Sequence, residues 1–548
     1  MEIRPAATLA LTRDTPEGLQ VLMLQRTWDA VFLPGFYVFP GGAVDADDHL
    51  CRDWADGHDD ASASHYLGIT EGGSGYMIAA VRECFEEAGL LLANDDQDKP
   101  VSLDTATLER ERAALNASER KLTDLCKQHR LTIPLDQLAY LSHWVTPPGP
   151  PRRFDTRFFV AVAPPNQIAR HDGIETIDHV WLSPAQALED HRLGHRLLGS
   201  PTVRTLRILS DFNTTDALMA YARSQPPEPL ENRPWPARRA GQRVTIEPGA
   251  PAYDEVRKLD PRCQGTASAT ITPGVPVVLG PGVQRLTAGN AGMMTGPGTN
   301  TYVLGKPGDY TVIDPGPEDE NHLRQLLDIT GGAITRVLVT HTHRDHSPGA
   351  AALRETTGAT LVGMKAPEGA SQDASFRPDR VPVHDDEIET AAGKLKVLHT
   401  PGHASNHLCY LLEGQNLLFS GDHIMQGSTV VINPPDGDMK AYLVSLHALL
   451  EENISYIAPG HGFLLGHAHA VIDYLTTHRM AREHKVLAAL KDHGPATLKN
   501  LTAHAYDDVP TAIHGLASRS LLAHLLKLQQ ERVAALSDDQ WQLIRQNN

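Results

Sequence analysis

No stretch of eighteen apolar residues occurs in the 548-residue chain, so a membrane-spanning helix is not expected. The five cysteines, Cys51, Cys84, Cys126, Cys263 and Cys409, are odd in number, and no two form a C-x-x-C pair. They read as free thiols of a reducing compartment. The opening residues Ile3-Arg4-Pro5 lack the basic and apolar regions of a secretory signal, so a cytoplasmic location is expected. Positive charge is scarce: Lys+Arg 49 against Asp+Glu 67 gives a net −18. Such a chain is a poor default binder of nucleic acid or anionic membrane. No internal repeat of fixed period is present.

What remains is a globular composition, with 41% hydrophobic and 21% charged residues. At about 100–200 residues per domain the length allows about three or four units. The unusual quantity is 28 histidines. Histidine is the commonest metal ligand at neutral pH, so their clustering matters.

The first part reads as mixed α/β. Apolar runs at residues 7–11 and 19–25 flank Asp14-Thr15-Pro16-Glu17-Gly18, a hairpin signal. Residues 76–88 are helical in pattern, and residues 157–162 read as a strand. Ser183-Pro184 follows Val180-Trp181-Leu182 as an N-cap with proline at the first helical position. Between residues 224 and 275 proline recurs (Pro226, Pro227, Pro229, Pro234, Pro236, Pro248, Pro251) and apolar periodicity fades. This stretch is expected to be a linker between domains. The expected units are residues 1–223, 276–466 and a mainly helical tail at 467–548.

Arg82-Glu83-Cys84-Phe85-Glu86-Glu87-Ala88-Gly89-Leu90 carries the first chemical signal. On a helix, Glu83, Glu86 and Glu87 share one face, at i, i+3 and i+4. Ile78, Val81 and Phe85 fall on another face as core anchors, and Gly89 stands as a C-cap. Grouped carboxylates repel one another unless a hard divalent cation lies among them, and Mg²⁺ prefers oxygen ligands. Arg82 can brace Glu86 at i+4. A plain solvated acidic face is the ordinary alternative.

This string resembles the R-E-x-x-E-E-x-G half of the Nudix box, and Phe39-Pro40-Gly41-Gly42 resembles the glycine turn that opens it. Two departures stand out. An insertion rich in Asp, Ser and Gly separates Gly42 from Arg82, and the box's earlier glutamate has no clear match, with Asp45 or Asp47 as substitutes. The insertion, Pro34-Gly35-Phe36-Tyr37-Val38, His143-Trp144-Val145-Thr146-Pro147 and Arg153-Phe154-Asp155-Thr156-Arg157 are similar to the acyl-CoA-cleaving branch of the Nudix hydrolases. The resemblance covers about residues 1–220. It implies Mg²⁺- or Mn²⁺-assisted water attack on a pyrophosphate, with Glu83, Glu86 and Glu87 at the metal. Glu86 and Glu87 are the expected catalytic carboxylates, and Glu175 is the candidate general base.

The second signal is stronger. His341-Thr342-His343-Arg344-Asp345-His346 packs four ligand-type side chains into one short run after Val337-Leu338-Val339. The arrangement recurs: Val397-Leu398 leads to Thr400-Pro401-Gly402-His403, Leu417-Leu418-Phe419 to Ser420-Gly421-Asp422, and Tyr456-Ile457-Ala458 to Pro459-Gly460-His461. Strands that deliver ligands to one sheet edge are what a preorganised metal site needs. His407 and His423 lie beside ligands and read as packing partners, and His399 reads as structural.

These residues resemble the metallo-β-lactamase superfamily. The resemblance implies two Zn²⁺ ions, one held by His341, His343 and His403, the other by Asp345, His346 and His461, with Asp422 bridging. Asp345 would also orient the attacking water. Gly298-Thr299-Asn300-Thr301-Tyr302-Val303, Ile313-Asp314-Pro315-Gly316 and His478-Arg479-Met480-Ala481-Arg482-Glu483 are similar to the glyoxalase-II-related branch, which includes lactamase-like endoribonucleases. Helices at residues 498–501 and 518–532 resemble that branch's small winged-helix domain. This second resemblance covers about residues 276–535. The tail's basic residues, among them Arg479, Arg482, Lys485 and Arg545, are nearly matched by acids such as Asp507 and Asp508, without a basic stripe.

The expected architecture is multidomain α/β and α+β: a Nudix α/β/α sandwich, a metallo-β-lactamase αββα sandwich and a winged-helix-like tail. The expected function is two-site hydrolysis. The first site cleaves a nucleoside-diphosphate-linked compound such as CoA or acyl-CoA, and the second an ester-like bond, a thioester first and an RNA phosphodiester second. A metal-binding regulatory protein with one non-catalytic site is the reading from another class. Expected partners are small molecules, with RNA not favoured, no membrane, and a homo-oligomer left open.

Overall fold

The computed structural model describes residues 3–150, 152–224, 232–368 and 372–544. Pro226, Pro227, Pro229 and Arg545 lie outside the described residues. The chain forms two compact units, residues 1–236 and 237–548.

In the first unit, alternating apolar residues build a mixed seven-stranded sheet. The hairpin is Ile3–Thr15 with Gly18–Arg26, antiparallel in register Thr12 to Val21. Ile3–Thr15 also runs parallel to Arg153–Val162, which pairs antiparallel with Ala139–Val145. The helix Gly73–Ala88 packs on one face of this sheet, with Ile78, Val81 and Phe85 fully buried among Leu9, Leu11 and Phe159. Gly89 caps that helix in the left-handed conformation at φ 71°. Ser183 caps Pro184–Arg192 by accepting the Gln186 N–H at 3.2 Å. The Asp-, Ser- and Gly-rich insertion folds as two short helices, Ala46–Leu50 and Asp60–Leu67, before the main helix. The opposite face of the sheet is covered by Ser200–Ser210 and Thr215–Ser224, through Leu206, Leu209 and Leu218.

The second unit holds two six-stranded sheets, one from Val277–Gly280 to Thr360–Val362, the other from Glu387–Thr390 to Leu465–Gly466. Their inner faces share a core in which the Tyr302 and Phe419 rings sit 5.0 Å apart. Helices Glu320–Thr330 and Gly349–Thr357 cover the first sheet; Met439–Leu449 and the long Ala468–His493 cover the second. The layering is αββα, as expected. Beyond it, Leu498–Ala505, His514–Gln530 and the hairpin Ala534–Ser537 with Gln540–Leu543 close a small core around Leu501, Leu521 and Trp541. The tail is therefore helical with a two-stranded wing.

The expected linker differs from what is found. Its described part beyond residue 236 folds with the second unit and carries the helix Tyr253–Leu259. From that helix, buried Glu255 grips buried Arg285 through two hydrogen bonds, 2.6 and 2.9 Å, and accepts the Leu464 N–H at 2.8 Å. Proline density marked irregular backbone here, but irregular backbone still packs when a charged partner anchors it.

Candidate functional site

In the first unit the helix Gly73–Ala88 projects its carboxylates toward the glycine turn. Glu87 accepts the Gly41 N–H at 2.9 Å. Arg82, almost buried, reaches Glu83 at 3.0 Å, Glu86 at 2.7 Å and the Ala43 carbonyl at 2.8 Å. Its other edge is held by Asp48 at 2.8 and 3.0 Å. Asp45 is 3.9 Å from Arg82, and Asp47 faces Lys121 instead. Neither takes the anchoring place that Asp48 takes. A buried arginine demands a buried carboxylate, which is the signal that points to Asp48.

Burial pushes the Glu83 carboxyl up to about 7, against the pull of Arg82 and with the Glu86 charge adding to it. Burial and then Glu83 hold Glu87 well above the usual carboxylate range. Acids so disposed are an oxygen-only donor set that a divalent cation would relieve. Their oxygens do not converge as those of the second unit do: Glu83, Glu86 and Glu87 are absent from the described clusters whose donors lie within 4.8 Å of one another. Glu175 is exposed on its loop; its carbonyl accepts the Thr27 N–H at 2.9 Å, and its charge raises both Glu83 and Glu87.

In the second unit the strand ends come together. His341, His343 and His403 form one cluster within 4.8 Å; Asp345, His346, Asp422 and His461 form a second. In the second, His346 Nε2 and His461 Nε2 each lie 3.4 Å from Asp422 Oδ1, and 3.4 and 3.3 Å from Asp345 Oδ2. His346 Nε2, His461 Nε2 and Asp422 Oδ1 are buried without a hydrogen-bond partner. A tetrahedral ion with bonds of about 2.0–2.1 Å sets its donors about 3.3–3.4 Å apart, so this spacing fits one. In the first cluster His343 Nδ1 lies 2.9 Å from His341 Nε2 and 3.0 Å from His403 Nε2. Asp422 turns its other oxygen toward His403, at 3.8 Å, and so stands between the clusters.

The far nitrogens are fixed. His346 Nδ1 donates to Asp314 at 2.9 Å, His403 Nδ1 to the Val431 carbonyl at 2.8 Å, and His461 Nδ1 to the Gly298 carbonyl at 3.2 Å. Such bonds set the tautomer that leaves Nε2 free for an ion. Asp314 also accepts the Thr340 N–H and hydroxyl, at 2.7 and 2.8 Å, so it anchors the turn ahead of His341. Its position at the end of Asp309–Ile313, like that of the other strand-end residues, was the available signal.

Burial holds His341 and His343 neutral, the latter down to about 4. For His461 burial works downward, but Asp422 and Asp345 outweigh it and lift the imidazole to about 9. Two carboxylates, buried Asp422 and part-exposed Asp345, thus draw cationic charge to the cluster. His407 stacks on His341 at 4.9 Å and His423 is buried beside Tyr442, so both pack against the site. His399 is exposed and bonds the Ser405 carbonyl at 3.2 Å. A cavity of about 560 Å³ opens on His343, Asp345, His403 and Asp422, a size suited to a small molecule.

Comparison with known proteins agrees with this layout. The metallo-beta-lactamase superfamily model matches residues 294–461, the NUDT19 Nudix domain model residues 72–209, and the beta-lactamase associated winged helix domain model residues 497–541. A beta-lactamase-like protein 2 homolog of Caenorhabditis elegans is 31% identical over 46% of this chain and 85% of its own length. The Drosophila melanogaster homolog is 30% identical, over 48% of this chain and 96% of its own. An atrochrysone carboxyl ACP thioesterase of Aspergillus chevalieri is 29% identical over 46% of this chain and 83% of its own. The histidine-rich centre, its αββα frame and these relatives together identify the chain as a hydrolase of the metallo-β-lactamase superfamily that carries a Nudix domain ahead of the lactamase-like domain.

Proposed function

We propose that the chain is a two-centre hydrolase, cleaving a thioester in its second unit and a pyrophosphate in its first. The observation that carries the thioester centre is the pair of donor clusters with Asp422 standing between them in the lining of a cavity. We assign His341, His343 and His403 to one Zn²⁺, Asp345, His346 and His461 to the other, and Asp422 to both. When bound, such ions polarise a carbonyl oxygen and make a water acidic enough to attack at neutral pH. The chain's own contribution is placement. Asp314, Val431 and Gly298 hold three imidazoles in one tautomer. The part-exposed Asp345 carboxylate borders the cavity, where it can orient an attacking water by accepting a hydrogen bond from it. The thioester choice is supported by the thioesterase names of relatives.

For the first unit we assign Glu83, Glu86 and Glu87 to Mg²⁺ or Mn²⁺, which neutralises charge developing on a pyrophosphate. Glu175 stands beside Glu83 and Glu87 and is exposed to water, as a base that takes a water proton must be. A CoA thioester contains both bond types, which makes CoA compounds the favoured substrates. RNA is less favoured, because Arg482 and Lys485 in the tail are already paired with Asp508 and Asp507.

The test is hydrolysis of an acyl-CoA by the purified chain, following free thiol and adenosine 3′,5′-bisphosphate separately. Both products are expected, thiol release persisting without added Mg²⁺ and nucleotide release requiring it. Absence of thiol release from every acyl-CoA tried would refute the thioester assignment.

A further inference from the structure

The C-terminal tail contributes to the wall of the cavity over the two donor clusters: Leu516 and Arg519 line it, on the helix His514–Gln530. Leu516, Arg519 and Ala523 are spaced i, i+3 and i+7, so they share one helix face. Ala523 is buried in the core formed by Met439–Leu449, and further along Gln530 donates to Asp438 at 3.2 Å. The docking of this helix therefore holds Arg519 over the cavity. Arg519 is exposed and makes no hydrogen bond or ion pair among the described residues. It is also the one lysine or arginine among the described residues that line the cavity. Asp436 on the same wall is already taken by Gln372 and Ser405. Beside it stand exposed Met293 and Met294, with Met425 deeper, side chains that adapt to varied apolar shapes.

We propose that Arg519 is a specificity-determining residue that binds an anionic group of the substrate, while the methionines receive an apolar segment. A guanidinium left unpaired at a cavity mouth fits a carboxylate or phosphate in a forked geometry. The substrate class is then a small thioester with an anion remote from the scissile bond, either a carboxylate on the acyl part or a phosphate on the carrier. This rests on the thioester reading above.

Three thioesters of equal acyl length test it on the full zinc-loaded chain: a neutral N-acetylcysteamine thioester, the same with a carboxylate at the acyl end, and a CoA thioester. Arg519→Ala should lower kcat/KM about 10–100-fold on the anionic substrates that Arg519 serves, mainly through KM, and leave the neutral one within about twofold. Which anionic arm falls tells carboxylate from phosphate. Arg519→Lys should restore part of the loss. An equal loss on all three, or none on either anionic substrate, overturns the proposal. If the wild-type chain cleaves no thioester, the function reading fails, and calorimetric binding of the carboxylate-tipped acid and of CoA still decides. Weaker binding of either to Arg519→Ala supports the anion site, and unchanged binding of both overturns it. Tight binding of an RNA oligonucleotide that Arg519→Ala abolishes, without an effect on either small molecule, also overturns it.

Discussion

Gly460 stands where a single methyl group would do the most damage. A Cβ there would press on the Asp422 carboxylate and on the His346 ring. Gly460→Ala should therefore lower zinc content and thioester hydrolysis, at least about tenfold for the rate, while the fold survives. Metal analysis beside a thermal melt checks this; full metal occupancy with full activity would contradict it. Gly42 plays the same part in the first unit, since a Cβ there would meet the Glu83 carboxylate. Gly42→Ala should depress Mg²⁺-dependent pyrophosphate cleavage and leave zinc content alone, which a pyrophosphate-cleavage assay beside metal analysis resolves. The strand-end residues were legible in the sequence because each follows a short apolar run, which limits where its side chain goes. Asp48 was not, and Asp314 showed only as part of a motif without its role, because their work is to hold Arg82 and His346, and a sequence motif shows the residue held more readily than its holder.

At the scale of elements, periodicity and capping chemistry foretold the helix Gly73–Ala88 and the hairpin at the chain's start. The helix Tyr253–Leu259 escaped because seven residues among prolines give no periodic signal; its place depends on contacts with residues distant in sequence, Arg285, Leu464 and Gly466. Glu255 and Arg285 are both almost wholly buried. Removing one partner leaves the other charge buried and unpaired, a loss of about 3–5 kcal/mol. Glu255→Ala should lower the unfolding free energy of a piece spanning residues 237–548 by that amount, read from denaturant titration. A piece starting at residue 276 should be less stable than one starting at residue 237. Equal denaturation midpoints for the two pieces would show that the helix is dispensable.

For the molecule as a whole, the two units carry donor sets of different chemistry. The first offers carboxylates alone, a set suited to a hard, readily exchanged divalent cation; the second offers histidine and aspartate, a set suited to a tightly held transition metal. Two resemblances in one sequence were enough to foresee this division. Neither could reveal that the stretch between them belongs to the second unit, because that follows from packing rather than from motifs. The most direct measurement compares Glu86→Gln and Asp422→Asn on a pyrophosphate substrate and a thioester substrate, with folding and zinc content monitored. Glu86→Gln should slow pyrophosphate cleavage alone, by about 10²–10⁴, and Asp422→Asn should slow thioester cleavage alone. Loss of both reactions in a folded, zinc-loaded Glu86→Gln chain would contradict two independent centres and require one composite active site.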